Sequence, residues 1–205
     1  MSTEWLSNGL FVQGKRKESF PAGLPSYKGG ALREPWPLYG LDNPLARELT
    51  KATDKWFNYW YIADVSYSLN VCPDLTLAKK YVNCCRRLIN SDIRVLLCKS
   101  KRTFPKMSDV DIVEIETHVK FLGWDHLSVS FDFSTIAYEL SDLSFRTEPF
   151  RKNLNENGLF PSFETLAEYV SARDELIKQG QCPDIEVDIE LEKIALYEMD
   201  IMFFE

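Results

Sequence analysis

The chain has 205 residues, a formal net charge of -7, and a composition of 45% hydrophobic and 27% charged residues. This composition supplies one sizeable core and excludes a chain that is disordered throughout. No apolar run approaches the roughly 18 residues that cross a bilayer, and residues 1–10 lack the features of a signal peptide. Five cysteines, an odd number in a chain too long to need disulfides, predict reduced thiols. We therefore expect a soluble cytoplasmic protein with no membrane partner.

Charge is distributed unevenly along the sequence. Residues 182–205 contain eight acids and one lysine, so this segment has a net charge of -7. Residues Lys79–Lys106 contain nine bases and one acid, which gives a local charge of +8. The sequence is therefore bipolar, with a basic middle and an acidic end.

Residues 1–41 hold six of the nine glycines and four of the ten prolines, with aromatic residues at no fixed period. This pattern predicts an irregular N-terminal arm with single aromatic anchors, among them Trp36 and Tyr39. Residues 42–205 are predicted to form a single domain. No internal repeat is evident in the sequence.

Hydrophobic periodicity predicts an α+β fold, with about four helices packed on a small, mainly antiparallel sheet. Capping residues and apolar spacing place the helices at about residues 44–66, 75–88, 109–122 and 163–179. The predicted strands are residues 93–99, 127–133 and 185–191. The apolar residues of 194–204 are expected in the core, as a last strand or a short helix.

The acidic end alternates strictly between apolar and acidic residues. If residues 185–192 are extended, one face carries four carboxylates about 7 Å apart, which forms a dense negative stripe. We predict that this face binds a partner, assisted by Trp36 and Tyr39. The acids of this predicted ladder are Glu186, Asp188, Glu190 and Glu192.

Residue types that carry catalysis are few. The chain has two histidines, His118 and His126, and an Asp125–His126 pair on a strand would point to opposite faces. Cys84 and Cys85 show no C-x-x-C spacing, and the glycines do not form a phosphate-binding loop. We therefore expect no metal or cofactor.

Three functional hypotheses follow. The first is a non-catalytic binding or inhibitory protein, resembling an immunity protein or an anti-defence protein in its action, whose acidic surface docks a basic toxin, nuclease or nucleic-acid-binding complex. The second is an enzyme with a dispersed site that uses His118 or His126. The third is a nucleic-acid-binding module based on Lys79–Lys106, which the net negative charge makes less favourable. Pairing of the basic segment with the chain's own acids is the structural alternative.

Overall fold

The structure is a computed structural model. It describes residues 4–15, 33–35, 37–38, 40–57, 71–89, 93–101, 105–127, 150, 152–180 and 192–205. Within these residues the helices are α1 (Pro44–Phe57), α2 (Leu75–Leu88), α3 (Asp109–Ile115) and α4 (Phe163–Lys178). The strands are β1 (Leu6–Lys15), β2 (Arg33–Pro35), β3 (Ile93–Ser100), β4 (Val119–Leu127) and β5 (Glu192–Met199). They form one antiparallel sheet in the order β2-β1-β3-β5-β4, which confirms the predicted α+β class.

The four helices begin where the capping residues predict. Side-chain oxygens of Asn43, Asp74, Ser108 and Ser162 each accept a hydrogen bond from a backbone N–H in the first helical turn. Each cap satisfies a donor that the helix itself leaves free. The predicted continuation of α1 to residue 66 lies outside the described residues. Leu88 is exposed at the last turn of α2.

The N-terminal segment differs from the irregular arm predicted for residues 1–41. Residues 6–15 form β1, which lies inside the sheet between β2 and β3. The consecutive residues Leu10, Phe11 and Val12 are fully buried, so both faces of this strand are covered. A strand buried on both faces lacks alternation, which explains why its sequence does not show the period of two. The division of the chain at residue 41 stays a prediction.

The third predicted helix is too long. Helix α3 ends at Ile115, the turn Glu116–His118 is 3-10, and Val119 starts β4. Pairing with β5 along residues 119–127 overrides the helical spacing of the sequence. The remainder of the strand predicted at 127–133, like the strand predicted at 185–191, lies outside the described residues. The expectation for residues 194–204 is confirmed, because they form most of β5 and the 3-10 turn Ile201–Phe204.

The sheet contains an internal two-fold arrangement. In β1 and β4 the pairing shifts by one residue just before a glycine, Gly9 and Gly123 respectively. The residue after each glycine forms an isolated bridge to a segment at the sheet edge, Leu10 to Cys72 and Trp124 to Phe160. Cys72 and Phe160, the edge residues of these bridges, are each followed by a proline, a capping residue and a helix. The two bridges cover edges of the sheet that would otherwise be open.

Strand register locates the centre of this arrangement. Gly9 pairs with Cys98 on β3, and its equivalent Gly123 pairs with Leu196 on β5. Cys98 and Leu196 in turn pair with each other across the β3–β5 seam. The half formed by β1, α2 and β3 therefore corresponds to the half formed by β4, α4 and β5. Residues 71–89 and 159–177, aligned without gaps, are identical at five positions: Pro73/Pro161, Tyr81/Tyr169, Val82/Val170, Leu88/Leu176 and Ile89/Ile177.

An aromatic cluster holds α4 against the sheet. The Trp124 ring on β4 contacts those of Trp5 and Phe163 in edge-to-face geometry, with centroid distances of 4.8 and 5.4 Å. Such pairs add to the burial of apolar surface. Among the described residues, no helix combines the length and apolar character that a membrane span requires.

Candidate docking surfaces

Most of the predicted site lies outside the described residues. Glu186, Asp188, Glu190, Trp36 and Tyr39 all belong to this group. The backbone of Glu192 is described: it is the first residue of β5 and pairs in register with Leu127. The binding role assigned to the acidic ladder therefore stays a prediction.

The basic segment forms ion pairs with the chain's own acids. Arg86 on α2 meets Glu205 at 2.6 Å, and Arg94 on β3 meets Glu198 at 2.9 Å. Both of these acids belong to the acidic end of the sequence. Lys79 and Lys106 likewise meet acids, in their case those of α3, at 2.5 and 3.2 Å. Part of the sequence's bipolar charge is thus neutralised within the fold.

Two further bases of this segment cover aromatic rings. The Lys99 ammonium lies 4.9 Å from the ring centroid of Tyr197, and the Lys101 ammonium lies 5.7 Å from that of Trp5. These are cation–π distances. The six bases named so far thus contact groups on different elements of the fold, and the nucleic-acid hypothesis for Lys79–Lys106 stays a prediction.

Helix α3 presents an apolar and acidic outer face. Val110 and Val113 are 77% and 72% exposed, whereas Ile115 on the inner side is fully buried. Asp109, Glu114 and Glu116 lie on the same outer side by helical spacing. Large aliphatic side chains with this exposure are unusual in a helix that also has a buried face to pack. The outer face of α3 therefore has the composition of a contact surface.

Lys79 joins this face to the C-terminal turn. Its ammonium group pairs with Glu114 of α3 and lies 4.5 Å from the ring centroid of Phe203. The neighbouring Met202 is 58% exposed, and Asp200 accepts the backbone N–H of Met202 as the turn's cap. We call this region the α3/C-terminal surface. Its members are Asp109, Val110, Val113, Glu114, Glu116, Asp200 and Met202.

Sequence reasoning did not identify the α3/C-terminal surface. A signal is present: Val110 and Val113 fall off the apolar stripe of Ile112 and Ile115, between acidic residues. Two valines on the polar side of an amphipathic helix indicate a protein–protein contact surface, because a face that only meets water is usually polar. Residues 106–117 carry four acids and one lysine, so this surface is acidic although it lies next to the basic segment.

A groove of about 560 Å³ separates α1 and α2. Its floor includes Leu49 and Cys84, and its rim includes Lys80 and Arg87. The lining contains neither histidine. The groove is thus apolar at its base and predominantly basic at its rim.

The two histidines occupy different environments. His118 is exposed in the 3-10 turn, with its ring 4.8 Å from that of Phe203. His126 is fully buried on β4 and stacks on Tyr169 at 5.8 Å. The Asp125 carboxylate accepts the backbone N–H of His126 at 2.8 Å, so this contact uses the backbone of His126. The two histidines therefore do not share one environment, and the hypothesis of an enzyme that uses His118 or His126 stays a prediction.

The described cysteines are core residues. Cys72, Cys84, Cys85 and Cys98 are all buried. Burial raises the pKa of the Cys85 thiol well above its usual range, and the neighbouring Cys84 adds to this effect. Burial also raises the pKa of Cys84, although Arg87 opposes the shift. Raised values make both thiols poor nucleophiles. Within the described ranges, no group of three His, Cys, Asp or Glu side chains is arranged to hold a metal ion.

Comparison with known proteins adds no relative to this description. No family model, curated protein or solved structure matches the chain.

Proposed function

We propose that this chain is a non-catalytic binding or inhibitory protein whose α3/C-terminal surface docks a basic macromolecular partner. One observation carries the proposal: the exposed side chains of Val110 and Val113 lie among carboxylates on a single helix face. Aliphatic side chains in a polar rim are the arrangement found at protein–protein contacts. Our proposal of an acidic docking surface therefore rests on these described residues.

Charge and apolar contact would have separate roles in this complex. The carboxylates of Asp109 and Glu116 accelerate and orient the encounter with a basic partner, an effect that salt screens over about 8 to 10 Å. Asp109 pairs with Lys106, but its side chain is 88% exposed and stays accessible to a partner. Val110, Val113 and Met202 are the three most exposed large apolar side chains of the described residues. Their removal from water on binding would slow dissociation.

The matching partner is a protein with a basic and partly apolar surface. A toxin, a nuclease or the protein part of a nucleic-acid-binding complex has this chemistry, and covering its basic surface would inhibit it in the manner of an immunity protein. The odd number of cysteines in a chain of this length favours reduced thiols, so we place this activity in the cytoplasm.

The test is affinity capture from the native cell with paired variants. Asp109→Lys/Glu116→Lys reverses two acids of the α3/C-terminal surface. The control Glu4→Lys/Glu156→Lys changes net charge by the same amount at two exposed acids elsewhere. We expect a basic protein that the wild type and the control retain and that the α3 variant loses.

Val113→Asp separates apolar contact from charge. This variant makes the surface more acidic while it removes an exposed aliphatic side chain, so loss of the same captured protein shows that apolar burial contributes. Retention of every captured protein by both α3 variants, at low and at high salt, would contradict the proposal.

A further inference from the structure

The internal two-fold places opposite charges at equivalent positions of α2 and α4. In the alignment of residues 71–89 with 159–177, Glu168 occupies the position of Lys80. Glu175 occupies the position of Arg87. All four side chains belong to exposed residues. Each pair is separated by seven residues, or about 10.5 Å along its helix, so the two cations and the two carboxylates have the same spacing.

The cations border an open groove. The groove between α1 and α2 has a volume of about 560 Å³, and Lys80, Asn83 and Arg87 follow one edge of it. Leu45, which is 44% exposed, lies on the α1 side together with Glu48. Among the described residues, neither Lys80 nor Arg87 has an acid of its own chain within ion-pair distance. This differs from Lys79, Arg86, Arg94 and Lys106, whose charges are neutralised inside the fold.

We propose that this groove receives α4 of a second copy of the chain, with Glu168 and Glu175 of the second copy facing Lys80 and Arg87. The matched spacing of opposite charges carries this assignment. Each copy has the basic helix α2 and the acidic helix α4. In a two-fold dimer, α2 of each copy therefore contacts α4 of the other copy, and the contact is made twice.

The physical character of the contact determines how it must be measured. The paired groups are exposed, and ion pairs between exposed groups are individually weak and are screened by salt. Association is therefore concentration-dependent and weakens as ionic strength rises. Lys79 lines this groove and pairs with Glu114 of the α3/C-terminal surface, so the two regions are adjacent. None of the residues that are swapped below belongs to the α3/C-terminal surface, so the dimer and the proposed binding function are tested by different variants.

Sedimentation velocity of charge-swapped variants tests the dimer. The basic site is reversed in Lys80→Glu/Arg87→Glu, and the acidic site in Glu168→Lys/Glu175→Lys. The control Lys51→Glu/Lys152→Glu reverses two exposed lysines that lie outside the groove lining. At an ionic strength of about 0.02 M, we expect wild type and control to dimerise. For each swapped variant alone, the dissociation constant of the dimer should be at least about tenfold higher than for the wild type.

Mixing the two swapped variants gives the decisive result. In a mixed pair both contacts again join opposite charges, so heterodimers should form although neither variant dimerises alone. This rescue also shows that each variant is folded. A wild type that stays monomeric at every concentration at low salt would overturn the proposal. So would self-association that the swaps leave unchanged, or a mixture without heterodimers.

Discussion

Gly123 lies directly against the backbone of Phe160. A Cβ atom built on Gly123 would be 2.8 Å from the Phe160 carbonyl oxygen and 2.7 Å from the Cβ of Leu159. The neighbouring Trp124 exchanges two backbone hydrogen bonds with Phe160, at 2.8 and 2.9 Å. A side chain at residue 123 would push the edge segment away and break this bridge.

We therefore expect Gly123→Ala to lower the free energy of unfolding by about 2–4 kcal/mol, measured by urea denaturation. Gly180→Ala is the matched control. Gly180 has a φ of 69° but open space around its Cα, so its substitution has only the cost of left-handed backbone, about 1 kcal/mol. Equal losses for the two variants would show that the close approach at Gly123 has no energetic weight.

The two ion pairs of the acidic end should differ in strength. The Arg94 side chain is 13% exposed and also donates to Asn157, whereas the Arg86 side chain is 36% exposed. Removing the charge of Glu198 leaves a mostly buried cation without its carboxylate. We expect Glu198→Gln to cost about 1–3 kcal/mol and Glu205→Gln less than about 1 kcal/mol in urea denaturation. The reverse order would contradict this assignment.

The Tyr81 hydroxyl fixes the segment that precedes α1. It accepts the backbone N–H of Leu38 at 2.9 Å, and both residues are buried. Tyr81→Phe leaves this N–H without its acceptor, so we expect a loss of about 1–2 kcal/mol in the free energy of unfolding. Tyr197→Phe, the same change at a half-buried ring, should alter it by less than about 0.5 kcal/mol. If the two variants lose equal stability, the Leu38 contact contributes nothing.

The raised thiol pKa values predict a loss of stability in alkaline solution. In the unfolded chain a cysteine thiol has its ordinary pKa of 9.0, whereas burial raises the pKa of Cys85 and keeps this thiol protonated in the folded chain at that pH. The contribution of Cys85 to the free energy of unfolding is therefore fully present below pH 9. Above pH 9 the free energy of unfolding falls, by up to about 1.4 kcal/mol per pH unit, because only the unfolded thiol loses its proton.

The measurement is urea denaturation at several pH values from 7 to 10.5, with a reductant present. Cys85→Ala should be less stable throughout, because it leaves a cavity, but its stability should decline less steeply above pH 9. An identical decline in wild type and variant would show that Cys85 ionises equally in both states.

Local signals predicted the helix starts but not every strand. Asp74 and Ser162 cap their helices through contacts within three residues, so the sequence alone contains the necessary information. Strand β1 depends on burial by distant segments on both faces. The change from helix to strand at Val119 depends on its pairing with Met199 of β5, which lies 80 residues later in the chain.

The candidate surface was predictable only in its chemistry. Acidic character was expected at residues 186–192, and the α3/C-terminal surface was not. Its identification requires the exposures of Val110 and Val113 and the contacts that Lys79 of α2 makes with Glu114 of α3 and with Phe203 of the C-terminal turn. The repeat was missed because only five of its aligned positions are identical, although the Tyr81-Val82 and Tyr169-Val170 pairs mark it in retrospect.

The pairing of Cys98 with Leu196 at the centre of the sheet has a consequence for ancestry. A polypeptide of half this length, ending after β3, would have one open strand edge, and that edge could hydrogen-bond to its own counterpart in antiparallel register. Fusion of two such self-pairing half-chains would produce the central order β1-β3-β5-β4, to which β2 is added at one edge. Subsequent divergence would then account for the opposite charges of α2 and α4.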